Sequence, residues 1–333
     1  MFLSFIVIHI RVQILYKVGK SGYFPDFLYL TQICIFVIDT HTLLWHFLLP
    51  PAKVLLMAKK QTKDQDKPQD PRLEKLKDVT LIICTPCYGG VVTEAYAQAM
   101  FTLSGVCAQY GIGVGYATIA NESLVTRARN ELVHAFLQNT KATHMMFIDA
   151  DIKFDPKAIV RMLLADQDVV VGAYPLKTLN WESVVDKSRY DYSEFTAQDA
   201  AVEAAMYVIN VHKPDPEMVG KQVDVQVKNG LLEVYDAGTG FMLMKRHVLE
   251  KMMEAYPDTM YYSDKDMTEQ LEKRKRYALF DTMIDSDKRY LSEDYTFCRR
   301  WQELGGKIYL DVNTTLSHIG SYTFVGRSIV KPK

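Results

Sequence analysis

The residues best suited to chemistry stand in one stretch, His144 to Pro156, which reads HMMFIDADIKFDP. Four apolar residues, Met145 to Ile148, run into Asp149-Ala150-Asp151, and Asp155-Pro156 then opens the next segment. A short, bounded apolar run suits a strand buried on both faces. Asp155 stands where a helix N-cap would be and Pro156 where the first helical residue would be. Two carboxylates two positions apart, just past a strand, are expected to face the same side. At about 4 Å and an effective dielectric near 20 they would repel by roughly 4 kcal/mol, so something positive is expected between or beside them. A divalent cation with hard oxygen ligands is the natural answer. The plainer alternative is a solvated turn in which Asp caps the backbone. The position at the carboxyl end of a buried strand favours the metal site.

The elements needed to hold this stretch follow from the pattern around it. Val79 to Cys84 reads as a buried strand feeding the turn Thr85-Pro-Cys-Tyr-Gly-Gly90, whose glycines permit close backbone approach. Val92 to Tyr110 carries a helical apolar face that stops at Gly111, Val114 to Ile119 a second strand, and Ser123 to Asn139 a second helix bearing Arg127, Arg129 and Asn130. A helix over 156–165 and a strand from Val169 to Ala173 complete the alternation. Strand and helix alternate throughout, which predicts a doubly wound, mostly parallel α/β sheet, with ligands beyond the strands' carboxyl ends. After Tyr174 the pattern changes. Residues 178–205 show no clear period, Val223 to Tyr235 reads as a hairpin turning at Asn229-Gly230, and Gly238-Thr-Gly240 leads into an apolar strand, Phe241 to Met244. A helix is expected over 246–255 and an exposed helix or mobile segment over Asp264 to Arg276. Ser292 is placed to cap a helix from Glu293 to Leu304, ended by Gly305-Gly306. A strand, Lys307 to Asp311, and Leu316-Ser-His318-Ile-Gly320 close the domain.

At 333 residues, with 48% hydrophobic and 24% charged positions, the chain has room for one large α/β domain or two smaller ones. A formal net charge of −1 gives no global field to attract nucleic acid. Five cysteines are scattered, and Cys84-Thr-Pro-Cys87 is the one C-x-x-C, with no second pair to complete a zinc site. This usage fits a reducing compartment, the cytoplasm. Residues 1–56 differ in composition from the rest: Phe27 to Leu49 has the length of a membrane span but carries Gln32, Asp39, His41 and His46. A weak membrane anchor, a helical accessory segment and an over-long start that should begin at Met57 all fit, the last being preferred. Membrane association follows only if 1–56 is real. Residues 57–77 read as a polar linker of mixed charge, and 78–330 as the folded domain, divided into halves 78–177 and 178–330.

The order of Asp149-Ala-Asp151 after a strand, the Gly238-Thr-Gly240 loop, Ser292-Glu-Asp294 at a helix start and a late His318 resembles the GT-A glycosyltransferases. The likeness is to small family-2-like members of the kind found in phages and large viruses, and it covers about residues 78–325; a viral chain would act in the host cytoplasm. The resemblance implies a Rossmann-like GT-A fold with a smaller acceptor-side β region. It implies transfer of one sugar from a nucleotide-diphospho-sugar to a hydroxyl of a carbohydrate or other acceptor, assisted by Mn²⁺ or Mg²⁺, which neutralises the diphosphate leaving group. Asp151 would ligate the metal, Asp149 the metal or the nucleotide ribose, and His318 would be a third ligand, favouring Mn²⁺. Asp294 is the candidate base, with inversion at the sugar, and Glu293 its support. Thr85, Pro86 and Tyr88 would line the nucleotide base, Arg127 in preference to Arg129 would reach the nucleotide, and Gly238 and Gly240 would bring backbone to donor or acceptor. Trp181 and the tyrosines at 190, 192, 261 and 262 offer sugar-stacking faces, Trp301 reads as core, and Lys177 and Arg327 are candidate diphosphate contacts. A Q-x-x-R-W-type motif is not seen, which argues against a processive synthase. A retaining transferase is the nearest alternative. A sugar-1-phosphate nucleotidyltransferase is further off, since Thr-Pro-Cys-Tyr-Gly-Gly is not its Gly-rich, Arg-containing loop, and a catalytically dead binding module further still.

Overall fold

The computed structural model describes residues 70–187, 196–214, 225–264 and 267–327. The hydrophobic segment 1–56, most of the linker, Tyr190 and Tyr192 lie outside the described residues. The strands that matter here are β1 (Thr80–Cys87), β2 (Gly113–Ala120), β3 (His144–Ile148), β4 (Ile152–Lys153), β5 (Val169–Val171), β6 (Val227–Lys228), β7 (Leu231–Val234), β8 (Phe241–Lys245), β9 (Ile308–Asp311), β10 (Ser317–Ile319) and β11 (Thr323–Val325). One sheet takes eight of them in the order β2-β1-β3-β8-β5-β9-β7-β6, and β11-β10-β4 form a small sheet beside it. Five longer helices pack on the large sheet or support it: α1 (Glu94–Tyr110), α2 (Val125–Gln138), α3 (Pro156–Leu164), α4 (Arg246–Ala255) and α5 (Glu293–Glu303).

The sheet is more mixed than the alternation of elements predicts. β1 pairs parallel with β2 and β3, and β5 parallel with β9. β8, however, enters antiparallel between β3 and β5, and β7 pairs antiparallel with β9 and β6. Phe241-Met-Leu-Met244 is buried at every position, so this run can lie in the middle of a sheet covered on both faces, where an alternating strand could not. Strands from both halves of the chain therefore share one sheet.

Local signals mostly hold. Thr93 accepts from the Tyr96 amide at the start of α1, and Gly111 ends that helix at φ +72°. Its buried positions, Tyr96, Ala99, Leu103 and Cys107, trace one face. Asp155 caps α3 through the Lys157 amide, with Pro156 first in the helix. Asn229 and Gly230 turn the hairpin with φ of +53° and +78°, both in the left-handed region that a two-residue turn of this hand demands. Within the described residues of the stretch Asp264 to Arg276 the helix is confined to one largely exposed 3-10 turn, Leu271–Arg274; Lys275–Tyr277 pairs antiparallel with Met260–Tyr262, and Glu131 of α2 anchors this pair through Arg276 at 3.0 Å and Ser263 at 2.7 Å. Among the described residues no helix is long and apolar enough to cross a membrane.

Two apolar cores cover the two faces. On one, Phe147 meets Phe280 edge-on at 5.2 Å, and Phe280 stacks on Phe297 of α5 at 4.5 Å. On the other, Ile148, Ile159, Leu103 and Phe241 pack together. Each such side chain contributes about 2 kcal/mol on burial. Asn130 of α2 locks the backbone of Phe280 with two hydrogen bonds, both 2.9 Å. Trp301 is core, as its helical position suggests, with the indole N–H on the Lys307 carbonyl at 3.2 Å.

Asp236, fully buried after β7, forms an ion pair with Arg299 of α5 and accepts from Asn210 at 2.9 Å. Burial still pushes its carboxyl above the usual carboxylate range, against the pull of Asn210 and Arg299. Removing one member of such a pair strands a charge in the core. Arg299→Ala is expected to destabilise the fold by about 3 kcal/mol or more, measured by urea unfolding, while Asp236→Asn with Arg299→Met restores most of the loss.

Candidate active site

The site lies where β3 ends. Asp149, one residue beyond the strand, is fixed by its amide on the Gly240 carbonyl at 3.0 Å. The chain then turns, so the two aspartates do not converge on one point. Asp149 faces Arg129, whose Nη2 lies 3.1 Å from Oδ1. Asp151 has different partners, Lys177 Nζ at 2.5 Å and His318 Nε2 at 3.3 Å. The repulsion between the carboxylates is thus relieved by two separate cationic partners.

His318 sits on β10, which β4 holds in antiparallel register opposite Ile152. Its Nδ1 lies 2.9 Å from the Pro175 carbonyl. A carbonyl only accepts, so Nδ1 donates to it, and Nε2 is left facing Asp151, where an N–H on it donates to the carboxylate. Burial works against ionisation of Asp151, but the hydrogen bonds from His318 and Lys177 outweigh it and hold its carboxyl below the usual range. Among the described residues no group of three or more His, Cys, Asp or Glu side chains is arranged to hold a metal. The expected triad of Asp149, Asp151 and His318 is therefore corrected: Asp149 belongs to Arg129, and a divalent ion would find two protein donors, Asp151 and His318. A carboxylate with an imidazole whose other nitrogen is tied to a carbonyl suits Mn²⁺ better than Mg²⁺, the remaining positions falling to ligand oxygens.

Arg129 is the second centre. It comes from the apolar side of α2, which also buries Leu132, Val133 and Phe136, and its side chain is only 4% exposed. Its guanidinium lies 5.0 Å over the Phe147 ring, and Nε reaches Glu293 Oε1 at 3.3 Å. The preference for Arg127 is corrected: Arg127 points to the polar side of α2 and pairs with Glu122 at 2.6 Å. Helical spacing alone separates the two, since 129 keeps step with 132, 133 and 136 while 127 does not.

Ser292 does not cap α5. Its hydroxyl donates to Asp294 Oδ1, which also accepts from the Tyr295 amide at 2.8 Å. Burial nevertheless raises the Asp294 carboxyl to about 6, with Glu293 adding to the rise and Ser292, Tyr295 and Arg129 opposing it.

Gly238 and Gly240 serve a different purpose from the one expected. A Cβ on Gly238 would lie 2.2 Å from the Tyr174 hydroxyl, and one on Gly240 2.7 Å from the Tyr174 ring and 2.9 Å from Asp149 Oδ2. The loop is compressed beneath Tyr174, whose oxygen accepts from the Gly240 amide at 3.2 Å. Tyr174 stays neutral because burial, then the charges of Asp149 and Asp294, push its phenol upward. The glycine pair signals a close approach in the sequence, but not the tyrosine that makes it.

A cleft of about 580 Å³ opens here, its walls including Pro86, Tyr88, Arg129, Asp149, Asp151 and His318. Tyr88 is 78% exposed at its mouth. Thr85 is not in it: its hydroxyl is buried against Tyr96 Oη at 2.6 Å. Glu293 and Asp294 do not line it either, and Glu293 meets it through Arg129. Lys177, first read as a diphosphate contact, is on Asp151, and Arg327 pairs with Glu203 away from the site. Trp181 is exposed. Cys84 and Cys87 are buried free thiols whose pKa burial raises, which does not suit a redox pair. A larger cavity of about 1010 Å³, at the β6–β7–β9 side of the sheet, holds none of the expected site residues.

No protein-family model matches the chain, and no curated protein matches it. Among solved structures, the crystal structure of A197 from STIV aligns with 15% identity over 77% of this chain and 98% of that one, at a TM-score of 0.40. A likeness that slight does not bear on activity.

Asp294 yields a sign-definite expectation. An acid whose folded pKa of about 6 exceeds its unfolded value near 3.8 stabilises the fold while protonated, and that contribution is lost as pH rises through about 6. The loss amounts to about 3 kcal/mol. Asp294→Asn, which still accepts from Ser292 and Tyr295, is expected to match wild type near pH 4 and to unfold at higher temperature than wild type at pH 8.

Proposed function

We propose that this protein is a GT-A-type glycosyltransferase that moves one sugar from a nucleotide-diphospho-sugar to an acceptor hydroxyl with inversion. The observation that carries the reading is convergence. Three segments distant in sequence, around Asp149–Asp151, Glu293–Asp294 and His318, meet beyond the carboxyl end of one central strand, where open α/β sheets bind ligands. No metal-binding loop or helix terminus alone would bring them together.

In this reading Pro86 and Tyr88 flank the nucleotide base at the cleft mouth, and Asp149, held by Arg129, accepts from the ribose. Asp151 and His318 would hold Mn²⁺ or Mg²⁺, which when bound offsets the diphosphate's charge as it leaves. Lys177 would then leave Asp151 for the phosphate oxygens. Asp294, with its carboxyl at about 6, is mostly ionised at neutral pH yet basic enough to take a proton. The acceptor oxygen gives its proton to Asp294 and bonds to the anomeric carbon while the bond from that carbon to the diphosphate breaks on the opposite face. A retaining transferase is the second reading, favoured by one observation: Asp294 does not line the cleft.

The test is turnover of a panel of UDP-, GDP- and dTDP-sugars by the full chain with Mn²⁺, Mg²⁺ or EDTA. Metal-dependent release of one nucleoside diphosphate is expected, lost by about 100-fold or more in Asp151→Ala, and the product anomer separates inversion from retention. Turnover should rise through a midpoint near pH 6, set by Asp294, and Asp294→Asn should abolish it. Pyrophosphate-linked turnover, or no nucleotide binding with any metal, overturns the reading. Because Lys177 competes for Asp151, Lys177→Met is expected to lower the half-saturating Mn²⁺ concentration several-fold, read by titration calorimetry.

A further inference from the structure

We propose that Arg129 is the positioning residue of this site: bonding Asp149 on one side and Glu293 on the other, it fixes the nucleotide seat relative to the helix that carries the base. The proposal rests on the roles given above to Asp149 and Asp294. Asp149 belongs to the end of β3 and Glu293 to the first turn of α5, so these acids come from distant parts of the chain. One guanidinium meets both, Nη2 with Asp149 at 3.1 Å and Nε with Glu293 at 3.3 Å. Its plane is pinned over Phe147, a fully buried residue of β3 itself. Both acids are therefore referred to the same strand.

Two features separate positioning from simple charge balance. The bridge uses two different nitrogens, Nε and Nη2, held in one rigid, planar fork, which an ammonium on a flexible stem does not reproduce. Nη1 is buried without a hydrogen-bond partner among the described residues. A buried donor left unsatisfied is costly, so this arrangement is not the one that stability alone would select. Tethering Asp149 and α5 to a single group is what the arrangement achieves.

Arg129→Lys keeps the charge and loses the fork. The expected result is nucleoside diphosphate affinity within about threefold of wild type, an unmoved pH midpoint, and kcat reduced about 100-fold with little change in KM, the cost of a misplacement near 1 Å. Wild-type kcat in Arg129→Lys overturns the proposal, because charge then suffices. A second measurement needs neither turnover nor an Arg129 variant. Thermal unfolding of Asp149→Asn, Glu293→Gln and the double variant is expected to be non-additive by more than about 2 °C, since both acids share one partner. Additive shifts overturn the bridge. Non-additive shifts in a protein that turns over no nucleotide-sugar sustain the bridge and reject the transferase reading instead.

Discussion

Four carboxylates, Asp149, Asp151, Glu293 and Asp294, crowd around the end of one buried strand, and keeping them together against their repulsion is the constraint on which the site depends. The protein meets it in three ways. Arg129 takes Asp149 and Glu293 at once. Lys177 and His318 take Asp151. Asp294 receives no full countercharge and is instead left with a proton affinity raised to about 6. These treatments differentiate chemically similar groups: a fixed anion, an anion with exchangeable partners and a group able to gain or lose a proton near neutrality. Differentiation of this kind is what a site needs if it is to bind a charged donor and move a proton in the same step.

The scaffold explains how each treatment is held. β3 lies third in an eight-stranded sheet with cores on both faces, so its end is among the most rigid points available. α2 lies against β1 and β2 and turns its apolar side to the sheet, which carries Arg129 inward along with Leu132 and Phe136. The 238–240 loop packs so tightly under Tyr174 that Asp149 is fixed from behind through the Gly240 carbonyl. The small sheet of β4, β10 and β11 returns the chain to Asp151, where the Ile319 amide donates to the Asp151 carbonyl at 2.8 Å.

Much of this was legible in the residues because local chemistry dictates it. Gly111, Asp155-Pro156 and Asn229-Gly230 each demand a particular backbone, and each has it. The α/β class also follows from the order of elements, whereas the roles of Asp294 and His318 beside Asp149–Asp151 are implied by the family resemblance alone. What escaped was set by contacts distant in sequence. The place of β8 could not be read because an apolar run says that a strand is buried but not between which neighbours. Strand alternation puts Asp149 and Asp151 on one side, but it ends at Ile148, and the turn that follows gives the two carboxylates different partners. Arg129 is different: its step with Leu132, Val133 and Phe136 is visible in the sequence and sets it apart from Arg127. Ser292 has the right type for a cap, but the neighbouring carboxylate competes for its hydroxyl and wins.

The insertion of β8 between β3 and β5 bears on how the chain reaches this structure. β3 and β5 are complete by Val171, yet the strand that joins them begins at Phe241. Until that segment arrives, both present unpaired edges rich in Val, Met and Phe, which are sticky surfaces for a nascent chain. The first half is accordingly not an autonomous folding unit. Its central pairings span long stretches of sequence, which makes for slow closure of the sheet and a premium on late synthesis. Fragments that stop near Lys177 would inherit the DAD turn without the strand that makes it a site.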